Sequence, residues 1–517
     1  MTTSSLVTWP HRGTVVRRGL VLAGLAMVLI ASACSSSAAG NGSTGSKLTV
    51  AWSDDEPANL DRQITPHGSV PDLLYNVTDP VARLQPDGTL QPGLATSWKD
   101  VNATTLEVTL RTDVVFSDGT KLDATGFALS LNRMISPASA MGAENLPTLK
   151  SVKVVNSNTV DLIHTPDATL MKEVALAADI FSPKQIQDDP DSIKTAPIGS
   201  GPYKVQSYKS GSKLVLVARN DYWGAKLYGT PTIKEVDILI GLDPDVRLAD
   251  VQSGQAQLGM DINGDSVKTI DKSMVLNLPG PEVYYLRPAF NEPMGNDVRI
   301  RKAVDLAIDR KQIAALFGGL GTATNAMWPT NVVGYSASRP LPQQDLAQAK
   351  QLVQQAGATG KTLQLVYSAD IKIGMQDVAE AVAQMVDQTG LKVQLTNQDS
   401  ATFKNTDRNL KNPPEWMLIP ISYETLEGTR TLDARIGCDG SVSTYCNKQV
   451  DTLDNAALAE ADPTKRVQDL QQLWDLVYAD EGVIPLVNPP LIWVHSKNLT
   501  IPKTAYPYVP FSQMRLN

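Results

Sequence analysis

Histidine and cysteine are scarce in this chain: four histidines and three cysteines in 517 residues. No HExxH and no CxxC occurs, and His67, His164 and His495 stand far apart. The common zinc signatures and a thioredoxin-type redox motif are therefore missing. Basic runs are missing too, and the formal net charge is −8. An acidic chain with no basic stripe argues against nucleic acid and against anionic lipid surfaces as partners. No apolar run reaches the eighteen residues of a membrane span; Gly19 to Ile30 comes nearest, with twelve. There is no GxSxG elbow. Gly357-Ala358-Thr359-Gly360-Lys361-Thr362 has Gln355 where a phosphate loop needs glycine, and it ends a helix instead of following a strand. Gly199-Ser200-Gly201-Pro202 lacks dinucleotide spacing. These separate absences agree on a chain with no catalytic residues, no metal site and no cofactor.

What is present begins at the amino end. Arg12, Arg17 and Arg18 precede the short apolar run, and Ala31-Ser32-Ala33-Cys34 follows it. That is the layout of a secretory signal, expected over residues 1–33 and removed. The cysteine directly after small residues resembles a bacterial lipobox, so Cys34 is expected to carry lipid. An ordinary signal with an incidental cysteine is the alternative, and Arg17-Arg18 leaves the twin-arginine route open beside the general one. Residues 34–46 then form a Ser/Gly tether of roughly 20 Å reach. The working part is placed outside the cytoplasmic membrane on a short leash. In that compartment Cys438 and Cys446, eight positions apart, are expected to pair as a disulfide.

The length exceeds the ~250–300 residues at which one core stops growing, so two or more lobes are expected. Alternating apolar residues predict strands at Leu48–Trp52, Leu106–Leu110, Leu214–Val217 and Val236–Ile240. Ile300, Ala303, Val304, Ala307 and Ile308 share a helical face, with Gly318-Gly319 as the stop. Leu346, Ala349, Val353 and Ala356 repeat the pattern before Gly357. Strand Leu363–Tyr367, helix Met375–Gln388 and strand Leu391–Leu395 read as a βαβ unit with a parallel sheet. Asp462-Pro463 is a helix start, followed by Val467, Leu470, Trp474 and Val477 on one face. A β-rich half thus precedes an α/β half.

Several short segments resemble those of the extracytoplasmic substrate-binding lipoproteins of peptide/nickel-type ABC importers (solute-binding protein family 5). They are Gln91-Pro92-Gly93-Leu94-Ala95-Thr96-Ser97-Trp98, Leu110-Arg111 with Phe116-Ser117-Asp118-Gly119, Gly199-Ser200-Gly201-Pro202-Tyr203, Arg219-Asn220-Asp221-Tyr222-Trp223, and Asp297-Val298-Arg299-Ile300-Arg301 with Ala307-Ile308-Asp309-Arg310. They keep the family's order from about residue 47 to 500. Read physically, Asp118-Gly119 makes a tight hairpin, Gly199 and Gly201 allow unusual backbone angles at a lobe crossing, and Tyr222-Trp223 closes a core. Arg299, Arg301, Asp309 and Arg310 read as ion-paired structure.

The resemblance implies an α/β, bilobal, periplasmic-binding-protein-like fold with a large inter-lobe cleft and an inserted α/β subdomain. The first lobe would take residues 47–76, 193–280 and 489–517, the inserted subdomain 77–192, and the second lobe 281–488. It also implies a monomeric, membrane-anchored receptor that delivers an oligopeptide or dipeptide to the permease and ATPase subunits of an ABC importer. A non-transport scaffold or signalling lipoprotein on the same fold is the alternative, as is a receptor for a metal chelate or haem.

For the ligand, the family's acidic residue in a W-x-x-D stretch has no aspartate counterpart between Trp416 and Gly428. Glu424 and Glu427 are the substitutes that stretch offers. Tyr284, Tyr285, Trp328, Trp416 and Tyr423 fall in segments that line the cleft in relatives, and aromatic rings suit varied ligands. Tyr75, Asn76, Ser200 and Gly201 are expected at the lobe crossings, near the cleft floor. Asp54, Asp55 and Glu56 follow the first strand and would edge it.

Overall fold

A computed structural model describes residues 47–52, 59–64, 73–86, 88–137, 139, 146–336, 339–423, 425–429, 434–503 and 509–517. Cys34, the signal segment, the tether, Asp54, Asp55, Glu56 and Glu424 lie outside the described residues. Among those described, no helix is long and apolar enough to cross a membrane.

The apolar alternation forms strands as expected, within a residue or two at each end. With the other strands of the described residues they build two large sheets, a four-stranded one and two two-stranded ribbons. The first has seven strands in the order Val275–Leu278, Leu491–His495, Leu258–Gly259, Lys47–Ala51, Glu235–Leu239, Lys213–Ala218, Tyr203–Lys209. Lys47–Ala51 runs parallel to both of its neighbours. Its inward residues Leu48 and Val50 are fully buried and pack with Leu214, Leu216, Val236 and Ile238. The second sheet has six strands in the order Thr322–Ala323, Ile484–Asn488, Glu282–Pro288, Trp416–Ser422, Thr362–Tyr367, Lys392–Asn397. Its last three strands run parallel. Apolar clusters cover both faces of this sheet, as parallel strands require. A four-stranded antiparallel sheet, drawn from residues 95–164, packs on the helix Ala124–Met134 as a third core.

The βαβ reading holds: the helix Met375–Asp387 joins Thr362–Tyr367 to its parallel partner Lys392–Asn397. Gly390, at φ +97°, makes the turn back. Asp462 caps the helix Pro463–Ala479 through the backbone N–H groups of Thr464 and Lys465. The long helix expected up to Gly318 is instead two, Val298–Ala307 and Arg310–Ala315. Ile308 is extended, and the Asp309 carboxylate accepts from the N–H groups of Lys311 and Gln312, so a local cap outcompetes continuation.

The role given to Gly199 and Gly201 needs correcting. Neither has a positive φ. Their smallness is what the site uses: a Cβ on Gly201 would lie 2.7 Å from the Val77 carbonyl carbon, and the Gly201 N–H donates to the Val77 carbonyl at 2.8 Å. Gly119 does take φ +85° in its hairpin turn. Arg299 pairs with Asp297, Arg310 with Asp305, and Arg301 donates to the carbonyls of Gly295, Asn296 and Asp480. Cys438 and Cys446 are joined as a disulfide.

Candidate functional site

The two large sheets meet where the chain crosses between them, at residues 279–281 and 489–490. The strand Val275–Leu278 leads into the first crossing, and Glu282–Pro288 leaves it antiparallel to Trp416–Ser422. The carboxyl ends of the parallel strands of both sheets therefore face the crossing. In open α/β sheets that is where ligands bind, because loops there are free to vary while the strands stay fixed.

One residue immediately follows each of four of those strands. Trp52 follows Lys47–Ala51, Ser368 follows Thr362–Tyr367, Gln398 follows Lys392–Asn397, and Tyr423 follows Trp416–Ser422. The Trp52 Nε1, Ser368 Oγ, Gln398 Oε1 and Tyr423 hydroxyl are all buried, and none has a hydrogen-bond partner among the described residues. An unsatisfied buried polar atom costs about 1–3 kcal/mol, and these four share one kind of position, directly after a parallel strand. Main-chain bonds fix the loops: Trp52 N–H donates to the Leu239 carbonyl, Gln398 N–H to Tyr367 and Tyr423 N–H to Pro281. Burial holds the Tyr423 phenol well above its ordinary pKa, and neighbouring Tyr285 adds to it, so it stays neutral.

The expected site residues divide. Tyr423 is at this junction. Tyr284 is on Glu282–Pro288 on the opposite face of the sheet from Tyr423, and its hydroxyl donates to the Ile373 carbonyl at 2.9 Å. Tyr285 points to the other face of the sheet from Tyr284, the face that Tyr423 shares, and Arg435 lies beside its hydroxyl. Trp328 is fully buried; its indole donates to the Gly428 carbonyl at 3.0 Å and packs edge-on against Trp474, so it supports the 425–429 turn from behind. Trp416 begins its strand, at the amino end, and the structure does not bring it to the crossing.

Tyr75, Asn76, Ser200 and Gly201 are not ligand-facing groups at the crossings either. The Asn76 side chain donates to the Val509 carbonyl and accepts from Phe511 N–H, fastening the carboxyl-terminal return. Tyr75 donates to the Leu176 carbonyl. Ser200 and Gly201 belong to a seam around Asp79, whose buried carboxylate takes hydrogen bonds from Ser200, Tyr222, Trp223 and Arg83. Their polar groups are used up by the chain itself.

Glu427 is buried, and it already holds a cation. The Lys172 ammonium, on the helix Leu170–Ala177, lies 2.9 Å from its Oε1, and the Arg466 Nε lies 4.0 Å from its Oε2. Glu282, at the same end of the sheet, pairs with Lys372 at 2.7 Å. Neither is a carboxylate left over for a ligand ammonium. Ser368, Gln398 and Trp52 escaped the sequence reading as site candidates, although Ser368 directly follows a strand that it located and Trp52 ends another; the carboxyl-end rule applied there would have found these two.

A family model for bacterial extracellular solute-binding proteins, family 5, matches residues 89–418. The glutathione-binding protein GsiB of Salmonella paratyphi A is 24% identical over 412 residues, covering 77% of this chain and 80% of that protein. Among solved structures, the dipeptide-binding protein of Pseudoalteromonas sp. SM9913 in complex with Met-Leu superposes with a TM-score of 0.79 at 16% identity. It covers 91% of this chain and all of that one. NikA from Staphylococcus aureus in complex with Ni(L-His)2 gives 0.77 at 18% identity, over 92% of this chain and 100% of that one. The protein AgaA in complex with agropinic acid gives 0.77 at 21%, over 91% and 99%. These neighbours share the bilobal fold while their ligands differ. The chain belongs to the bacterial extracellular solute-binding proteins of family 5, the substrate-binding components of ABC importers.

Proposed function

We propose that this protein is a monomeric, lipid-anchored receptor that captures a small peptide or peptide-derived solute outside the cytoplasmic membrane. It hands that solute to the permease and ATPase subunits of its importer. The reading is carried by the four unpartnered polar atoms of Trp52, Ser368, Gln398 and Tyr423 at the carboxyl ends of the parallel strands. Neutral donors and acceptors of this kind match the amides of a peptide backbone, and aromatic rings beside them accept varied side chains. Glutathione and Met-Leu, named for two of the similar proteins, are both peptides. The lobes are assigned as residues 47–76, 193–280 and 489–517 against 281–488, with 77–192 as the inserted subdomain, and Cys34 carries the lipid.

With Glu427 and Glu282 occupied, Glu424 is the acidic side chain assigned to a ligand amino terminus. Titration calorimetry with di- and tripeptides tests both parts. Glu424→Gln is expected to weaken unblocked peptides by about two to three orders of magnitude while sparing N-acetylated ones. Absence of binding by any peptide would reject the solute class. Equal losses for blocked and unblocked peptides would reject the Glu424 assignment alone.

A further inference from the structure

Glu427 stands between two cations that belong to different moving parts. Lys172 is on the helix Leu170–Ala177 of the inserted subdomain, and Arg466 is on the second-lobe helix Pro463–Ala479. Lys172 makes the close contact, at 2.9 Å, and its ammonium also lies 3.5 Å from the Leu426 carbonyl. The Arg466 Nε, 4.0 Å away, has no hydrogen-bond partner among the described residues, and neither does the Glu427 Oε2 that it faces. Glu427 is 2% exposed at its side chain, so it is costly to leave unpaired.

The surroundings fix Glu427 on the second lobe. Val333 N–H donates to the Leu426 carbonyl and Trp328 to the Gly428 carbonyl, so the second lobe grips the turn on both sides of Glu427. Leu426 sits at φ +53°, a conformation that a non-glycine residue holds only under such constraint. The same turn begins at Tyr423, a residue of the candidate site. The inserted subdomain also touches the second lobe elsewhere: Ala168 N–H donates to the Leu458 carbonyl at 2.9 Å, and Leu84, Leu90 and Leu176 reach the second-lobe core.

We propose that Glu427 is a partner-exchanging latch for lobe closure. With the lobes together it holds Lys172; when they part it turns to Arg466, which waits on its own lobe. The exchange keeps the buried carboxylate neutralised in both states, so opening does not strand a charge, and the two states stay close in free energy. A solute contacting Tyr423 then biases an equilibrium that is already nearly balanced. Lys172 and Arg466 thereby set affinity without touching the solute. The inference rests on the reading of the chain as a closing receptor, but its test needs no solute.

The test is the distance between spin labels at Lys150→Cys on the inserted subdomain and Gln384→Cys on the second lobe, in the full chain without added ligand. Lys172→Met is expected to raise the open-to-closed ratio by about tenfold or more. Arg466→Gln, which removes the open-state partner, is expected to shift it the other way, and Arg466→Lys to restore it. In a Glu427→Gln background Lys172→Met should have little further effect. An unchanged distribution in Lys172→Met, or opening by both Lys172→Met and Arg466→Gln, would overturn the latch. Either result leaves the solute class to the calorimetry.

Discussion

The indole N–H of Trp223 donates to the buried carboxylate of Asp79 at 2.8 Å, across 144 positions of chain. The Tyr222 hydroxyl reaches the other oxygen at 2.8 Å, and Arg83 shares that oxygen at the same distance. Burial raises the carboxyl pKa, while Arg83 and the hydrogen bonds pull it back. The Tyr-Trp pair that ends the Arg219 segment is thus a clasp on one acid. Asp79→Ala removes the acceptor from several buried donors at once. It is expected to lower the unfolding free energy by about 3–5 kcal/mol, and Asp79→Asn by less, as read by urea denaturation.

Tyr423→Phe separates stability from recognition. The hydroxyl is buried and has no described partner, so deleting it removes a desolvation cost. The ligand-free protein is expected to be as stable as the parent or up to about 1 kcal/mol more stable, while solute binding weakens. Denaturation without solute and calorimetry with it check the two halves. A loss of stability in the free protein would show that the hydroxyl serves the core.

Glu481 makes stability depend on pH. Burial first, and Asp305 next, push its carboxyl from 4.5 up to about 8, against the pull of Lys302, Arg310 and Arg301. A carboxyl whose pKa is raised on folding contributes stability that is complete below its unfolded value and is lost as pH rises through the folded one. The protein is therefore expected to lose stability between about pH 5 and pH 8 through this group. Glu481→Gln should flatten the profile, so that the variant gains on the parent most at the alkaline end. Urea midpoints measured across that range decide it; parallel profiles would remove Glu481 as the cause.

The proposed lipid anchor is tested at Cys34. Cys34→Ala is expected to release the protein into the soluble fraction or to leave it unprocessed. A processed variant that still sediments with membranes would contradict anchoring through this cysteine.

How much was legible follows from which interactions are local. The alternation around Leu48, Leu106 and Leu214 located strands because one face of each is buried, and period two survives in sequence. The Asp462-Pro463 helix start and the βαβ unit over 362–397 were readable for the same reason. The break at Asp309 was not, since a cap and a mid-helix aspartate look alike until Ile308 is known to be extended. Of the aromatic candidates Tyr423 stands at the crossing, with Tyr285 on its face of the sheet and Tyr284 on the other, because an aromatic residue on a strand says nothing of which face or end meets the partner sheet. Trp416 fails on that point alone. Lys172 and Arg466 were invisible because their meeting with Glu427 spans some 255 and 39 positions of chain and depends on the docking of separate elements. The hydrogen bonds of Asn76 and Ser200 are spent on Val509, Phe511 and Asp79, partners that no local pattern announces.

The central claim is that the crossing between the two sheets holds a small peptide-derived solute. Native mass spectrometry of the protein purified from its own cells, without denaturation, tests it most directly. The account predicts a bound species that denaturation releases, that contains amino-acid building blocks, and whose occupancy falls in Tyr423→Phe. A released species with no peptide character, or one whose occupancy is unchanged by Tyr423→Phe, would contradict it.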